Sequence, residues 1–200
     1  MKILRLILIF LVGGFLTYLT YKSKYQTFFF EAIIWGGLIL VGLIIFLWTI
    51  IKDFQQFKTE RRLVNFALTF LTLLFTIIIL TIEVKNKNDF NKQTLLKVFY
   101  DGDYNGTGID FKTDGTYIFD NSAIGLSDYT YGTYEIKGNK LTLDRNKIDN
   151  LTELKYLELK EKAIDYQNVV KKELYLYHVN KNGEIIDRTN EYRVTIDNRK

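Results

Sequence analysis

The stretch AIIWGGLILVGLIIFLWTII, from Ala32 to Ile51, runs for twenty residues without a charged side chain. A second uncharged stretch, VNFALTFLTLLFTIIILTI, runs for nineteen residues from Val64 to Ile82. At about 1.5 Å of rise per helical residue, each stretch is long enough to cross a hydrocarbon core of roughly 30 Å. The two stretches therefore predict membrane-spanning helices.

A third apolar segment, ILRLILIFLVGGFLTYLTY from Ile3 to Tyr21, is typical of either a spanning helix or a secretory signal. No cleavage motif of small residues follows it, so we expect three spans, at about 3–21, 30–51 and 63–83, in a membrane segment covering 1–85. Arg5 and Glu31 lie near the predicted span ends, from which their charges can reach the interface, so neither needs an intramembrane role.

The composition excludes several kinds of chemistry. The chain has no cysteine, which excludes disulfides, thiolate metal sites and cysteine nucleophiles. Lys and Arg total 27 against 23 Asp and Glu, a diffuse excess that suits a membrane surface or an anionic ligand better than a nucleic acid polymer. Since no catalytic acid–base pair, serine-based motif or glycine-rich phosphate loop can be picked out, the sequence predicts neither an enzyme nor a cofactor.

Positive residues beside the predicted spans leave the orientation in the membrane open. Lys2, Arg5, Lys52, Lys58, Arg61 and Arg62 flank the spans on one side, and Lys22, Lys24, Lys85, Lys87, Lys92 and Lys97 flank them on the other. The concentrated loop KDFQQFKTERR at 52–62 slightly favours the cytoplasm, which would place the C-terminal region outside.

After Ile82 the pattern changes to short stretches in which polar and apolar residues alternate. The runs GIDFK (108–112) and TYIFD (116–120) flank a turn containing Asp114-Gly115, which predicts a β-hairpin. Further predicted strands are LLKVFY (95–100), YTYGTYEIK (129–137), KLTLD (140–144), LKYLELK (154–160), KKELYLYHV (171–179), EIIDR (184–188) and EYRVTID (191–197).

Eight or nine short strands joined by tight turns predict an all-β domain over 95–197. We expect a small antiparallel, lipocalin-like β-barrel of about eight strands, closed hairpin by hairpin, with two packed sheets as the alternative. The connection from Lys160 to Val170 is long enough to carry one helical turn at an end of the barrel. A barrel of this size has room for side chains or for one small ligand.

Three polar features receive structural interpretations. The loop Asp101–Gly106 imitates the first half of a calcium loop, but its twelfth position is Lys112, so we expect a plain turn and no metal. His178 is the only histidine and lies near a strand end, where a surface or rim position is expected. The carboxylates that alternate along the strands are expected to face solvent, namely Asp110, Asp120, Asp128, Glu135 and Asp144.

Tyrosines on the predicted strands point to a binding site. Tyr117, Tyr131 and Tyr177 are suited to stacking on bases, and Arg145 and Arg188, near strand ends, are suited to meeting phosphates. Packing of tyrosine on a half-buried strand is the other explanation. Tyr131 and Arg145 are the first candidates for ligand binding because they flank one predicted hairpin.

The layout of several N-terminal spans and a compact C-terminal β-barrel, with FKTDGTYIF and YGTYEIKGNKLTLD as its clearest strands, resembles the minimal-barrel membrane effectors of bacterial cyclic-oligonucleotide (CBASS-type) antiphage signalling. The resemblance implies a cytoplasmic barrel that binds a cyclic dinucleotide, after which the spans assemble and disrupt the inner membrane. The implied homo-oligomer would form through the helices, where small residues allow close approach, namely Gly13, Gly14, Gly36, Gly37 and Gly42.

A second interpretation belongs to a different class of protein. In it, the chain is a non-enzymatic, membrane-anchored binding or immunity protein whose β domain caps a protein partner. The side of the membrane on which the β domain lies distinguishes the two interpretations, because a cytoplasmic nucleotide cannot reach an external barrel.

Overall fold

A computed structural model describes residues 2–148, 155–166, 169–186 and 191–199. The chain divides into two compact units, Met1–Asp89 and Phe90–Lys200. The first unit is built from helices and the second from strands.

The helical unit contains α1 (Lys2–Lys22), α2 (Glu31–Glu60) and α3 (Ala67–Phe90). A short extended segment, β1 (Gln26–Phe28), follows α1, and a 3-10 helix (Leu63–Phe66) leads into α3. All three helices are long and apolar enough to cross a membrane, which confirms the prediction of three apolar helices.

The helices are longer than the apolar stretches from which they are predicted. α2 continues for nine residues past Ile51, and α3 continues past Ile82 to Phe90, because KDFQQFKTE and EVKNKNDF hold neither glycine nor proline. α2 ends at Glu60, and the next residue, Arg61, caps it by adopting a left-handed backbone (φ 52°) and donating its N–H to the Phe57 carbonyl at 2.8 Å.

The second unit is a ring of eight antiparallel strands in hairpin order. The strands are β2 (Thr94–Gly102), β3 (Asn105–Lys112), β4 (Thr116–Ala123), β5 (Leu126–Lys137), β6 (Lys140–Leu143), β7 (Tyr156–Tyr166), β8 (Val169–His178) and β9 (Tyr192–Asp197). Each strand pairs with the next, and β9 pairs with β2, which closes the ring. The predicted hairpin-by-hairpin order is therefore confirmed.

Side chains fill the interior of the ring. Alternate residues of facing strands are fully buried, as in the registered pairs Ile109 with Phe119 and Phe111 with Tyr117. The buried cluster comprises Leu96, Val98, Ile109, Phe111, Tyr117, Phe119, Tyr134, Leu141, Leu143, Ile148, Leu157, Leu159, Leu176 and Tyr192. The ring is thus a packed core.

Two local predictions are wrong. The segment from Lys160 to Val170 holds no helical turn in its described part; β7 runs on to Tyr166 and β8 begins at Val169, so the two form one long hairpin. The predicted strand at 184–188 is reduced, over its described residues, to an isolated bridge between Ile185 and Val179. Backbone hydrogen bonds from Asn180 N–H to the Glu184 carbonyl at 2.9 Å and from Ile186 N–H to the His178 carbonyl at 3.1 Å flank this bridge.

Candidate functional site

Three of the four predicted ligand-binding residues come together around one carboxylate. Tyr117 donates its hydroxyl to Asp144 Oδ1 at 3.0 Å, and Arg145 donates from Nε and Nη2 to the two oxygens of the same group at 3.1 and 3.0 Å. Arg145 Nη2 also donates to the Tyr131 carbonyl at 3.0 Å. Tyr131 is therefore linked to this cluster through its backbone.

Electrostatics fix the charge state of the Asp144 cluster. The Arg145 guanidinium, and then the Tyr117 hydroxyl, hold the pKa of Asp144 below its ordinary value. Burial, reinforced by the Asp144 charge, raises the pKa of Tyr117. Since Arg145 is engaged in a bidentate pair, an incoming phosphate would compete with Asp144 for it.

The fourth predicted residue lies elsewhere in the ring. Tyr177, on β8, is buried, and its ring lies 6.4 Å from that of Tyr175. Burial raises the pKa of its hydroxyl. Arg188, the other predicted phosphate-binding residue, lies outside the described residues.

The expected environment of His178 is wrong, and that of the strand carboxylates holds only in part. His178 is buried, because its pairing with Leu157 turns it inward, where its ring lies 5.8 Å from that of Tyr192. Asp110 accepts hydrogen bonds from Thr94 and from the buried Lys112, both at 2.8 Å. Burial raises the pKa of Asp120. Asp110, Asp120 and Asp128 are thus partly buried, whereas Glu135 and Asp144 are exposed as expected.

A basic cleft of about 240 Å³ lies on the ring, and sequence reasoning missed it. Its apolar floor is formed by Leu141, Leu157 and Val179, which are all buried. Its remaining lining residues are polar or form turns, namely Glu135, Lys137, Lys140, Thr142, Tyr156, Asn180, Lys181 and Gly183.

Local geometry explains why lysines gather at this cleft. Lys137 pairs with Lys140 across the β5–β6 turn, where Gly138 takes the left-handed backbone (φ 62°) that the turn requires. Lys181 reaches the cleft on the turn after β8, which Asn180 stabilises by accepting the N–H groups of Asn182 and Glu184. Three lysines against one glutamate give the lining a net charge of +2 (3 − 1).

Within the described part of the chain, none of Lys137, Lys140 and Lys181 forms an ion pair. Exposed lysines gathered around an apolar floor attract an anion. The cleft is therefore chemically suited to a phosphate or carboxylate with a small apolar portion.

The helical unit holds a second polar cluster, which corrects the expectation for Arg5. Arg5 is buried and pairs with the buried Asp53, with Nη1 2.8 Å from Oδ1. Asp53 Oδ2 accepts from the backbone N–H and hydroxyl of Thr69 at 3.1 and 2.8 Å. One carboxylate thereby joins α1, α2 and α3, so Arg5 does not reach outward to an interface.

Compared with protein-family models, with the sequences of curated proteins and with solved structures, the chain gives no significant match.

Proposed function

We propose that this chain is a non-enzymatic, membrane-anchored effector whose β unit binds a phosphate-bearing anion at the basic cleft. From its resemblance to the antiphage effectors, the ligand is a cyclic dinucleotide, and the response is assembly of the helices in the bacterial inner membrane. The observation that carries the proposal is the cleft with its three lysines.

The packed interior of the ring favours a ligand on its outside. Tyr117 and Tyr177, which were expected to stack on bases, are buried among other side chains. Tyr156, by contrast, lines the cleft and offers an aromatic wall beside the lysines. A base stacked on Tyr156 would bring its phosphate within reach of Lys137 and Lys140.

The volume of the cleft sets how much of a ligand it takes up. At about 240 Å³ the cleft is smaller than the roughly 300–1,000 Å³ of pockets that bury a drug-sized ligand, so it takes up part of a nucleotide, such as one phosphate group. A cyclic dinucleotide would seat one phosphate there and leave its second half exposed, where another copy of the protein could engage it.

The helical unit offers a face for assembly. An added Cβ on Gly36 or Gly37 would meet no atom within 4 Å, whereas one on Gly13 would lie 2.8 Å from the Phe75 ring. Gly13 thus packs inside the unit, and Gly36 and Gly37 are open to a second copy. Replacing both by Ile should weaken cross-linking between copies in membranes, and unchanged cross-linking would contradict this part of the proposal.

Calorimetry on the full chain in lipid nanodiscs, against a panel of cyclic di- and trinucleotides, tests the ligand. Lys140→Gln should weaken binding about tenfold, because a charge-assisted hydrogen bond is lost. Lys172→Gln is the matched control, because Lys172 lies on β8 in an exposed pair with Glu161. Absence of binding, or equal binding by the two variants, would contradict the proposal.

A second candidate function, capping of a protein partner, is supported by a different surface. Tyr104 and Ile124 are 78% and 84% exposed on two hairpin tips, which the pairing of Asn105 with Ala123 places side by side. Large apolar side chains exposed together are typical of contact sites. A photo-crosslinking residue at position 124 should then give one defined adduct in cells that Tyr104→Ser abolishes, and the absence of an adduct would exclude this function.

A further inference from the structure

The three helices line a half-open cavity of about 450 Å³. The lining residues of α1 are Ile9, Val12, Gly13 and Leu16; those of α2 are Trp35, Ile39, Gly42, Leu43, Ile45 and Phe46; those of α3 are Thr72, Leu73, Phe75, Thr76, Ile79, Leu80 and Glu83. The cavity therefore belongs to the helical unit as a whole.

Polar contacts tie the helices together on both sides of the cavity. On one side, Asp53 holds Arg5 and Thr69. On the other, Lys24 pairs with Asp89 at 2.8 Å and Asn86 donates to the Thr20 carbonyl at 2.9 Å. The lining residues of α1 and α3 lie between these two levels, and α2 is joined to them at the Asp53 level.

The occupant of the cavity has to be apolar. The two hydroxyls in the lining are already used, because Thr72 donates to the Leu68 carbonyl at 2.9 Å and Thr76 to the Thr72 carbonyl at 3.0 Å. Glu83 is the only charged residue in the lining. Water is held in a cavity by polar partners, and this one offers very few.

Size decides between a helix and a hydrocarbon chain. A helix about 10 Å wide and 5.4 Å per turn fills roughly 400 Å³ per turn, so a spanning helix of a second copy is several times too large. At roughly 30 Å³ per heavy atom, the cavity holds about fifteen heavy atoms. One acyl chain has that volume.

We propose that this cavity binds one acyl chain of a membrane phospholipid. Ile39, Leu43 and Leu80 keep 46%, 56% and 57% of their surface exposed, so a chain can enter from the surrounding bilayer. Trp35 and Glu83 line the cavity on the side of the Lys24–Asp89 pair, where a headgroup would lie at the interface. The proposal rests on membrane insertion of the helices and is independent of the ligand of the β unit.

Quenching of Trp35 fluorescence by phospholipid with brominated acyl chains tests the site. The chain has two tryptophans, so Trp48→Phe leaves Trp35 as the only reporter. Titration of the brominated lipid into the full chain in detergent should quench Trp35 saturably, at one lipid per chain. Thr76→Phe, which fills the cavity, should raise the lipid concentration at half-saturation about tenfold.

Thr81→Phe is the matched control, because Thr81 also bonds its own helix (Ile77 carbonyl, 2.8 Å) but does not line the cavity. Thr81→Phe should bind the brominated phospholipid as tightly as the Trp48→Phe protein does. If Thr76→Phe loses its helical circular dichroism signal, Leu73→Phe, a second variant that fills the cavity, replaces it in the test. Quenching without saturation, equal quenching in filled and control variants, or saturable quenching by a brominated free fatty acid alone would each overturn the proposal.

Discussion

The two units place their polar and apolar side chains in opposite ways. In the helical unit only 11% of the most apolar stretch of α2, and of α3, is buried within the protein, while the ion pair of Arg5 and Asp53 lies inside. In the β unit Phe111 and Phe119 lie inside, and exposed lysines surround the basic cleft. Apolar groups of the strands face the ring interior, and the exposed apolar surface of the helices is of the kind that suits the hydrocarbon of a bilayer.

The largest effect is expected from breaking the buried ion pair. Asp53→Leu leaves the Arg5 charge buried without its partner, which costs about 3–5 kcal/mol. Amide hydrogen exchange in detergent should show faster exchange in all three helices, because Asp53 contacts α1 and α3 from α2.

The double variant Arg5→Leu/Asp53→Leu is the control, since replacing both charges by apolar groups is close to neutral. Lys24→Gln, at the more exposed pair with Asp89, should cost much less. If the helix amides of the Asp53→Leu variant exchanged no faster than those of the Lys24→Gln variant, the buried pair would not hold the helices together.

The same substitution should act differently in the two units. Leu157→Ala, inside the ring, should cost about 2–5 kcal/mol, because it leaves a cavity among packed side chains. Leu40→Ala, on the exposed side of α2, should cost little in a membrane because lipid fills the space. Hydrogen exchange of peptides from each unit measures both effects, and equal costs would contradict the comparison.

Sequence patterns predict those parts of the fold that depend on neighbouring residues in the chain. Apolar runs, two of them without any charge, give the three helices, and alternation around glycine turns such as Asp114-Gly115 gives the order of the ring. The outer parts of β7, up to Tyr166, and of β8, from Val169, could not be predicted, because charged residues hide the alternation there and long-range pairs such as Lys162 with Glu191 and Arg193 with Glu173 stabilise these strands.

The candidate sites depend on contacts between residues far apart in the chain. Asp53 meets Arg5 across 48 positions, and Lys181 joins Lys137 and Lys140 only because β6, β7 and β8 are neighbours. A single sequence shows no such pairing. The proximity of Tyr131 and Arg145 was predictable because one hairpin carries both.

Two glycine substitutions compare the packing of the two units, and their expected effects on stability are smaller. An added Cβ on Gly132 would lie 2.5 Å from the Tyr117 ring, and Tyr117 cannot retreat without loosening its bond to Asp144. Gly132→Ala should therefore destabilise the β unit by about 1–3 kcal/mol. Gly36→Ala, with open space around it, should leave the helical unit unchanged or slightly more stable. Thermal unfolding followed by circular dichroism distinguishes the two, and a neutral Gly132→Ala would contradict the packing described.

The smallest effect is expected at the exposed Asp114 turn. Hydrogen bonds from Thr116 and Lys92 lower the pKa of Asp114 to about 2, below the ordinary value of about 3.9. Its contribution to stability is therefore present above about pH 4 and is lost as the pH falls toward 2. Asp114→Asn should lower the free energy of unfolding at pH 5 but much less at pH 2. Asp103→Asn, whose carboxylate accepts no hydrogen bond among the described residues, is the control, and the same pH dependence in both variants would exclude this assignment.

The central claim is that the two units are built for different solvents, and cysteine labelling in intact membranes tests it directly. The chain has no cysteine, so Leu40→Cys, Leu74→Cys and Ile124→Cys each provide one thiol at a side chain that is more than half exposed in the protein itself. A water-soluble maleimide should react rapidly at position 124 and should reach positions 40 and 74 only after denaturation. Reaction at positions 40 and 74 as fast as at position 124 would contradict the account.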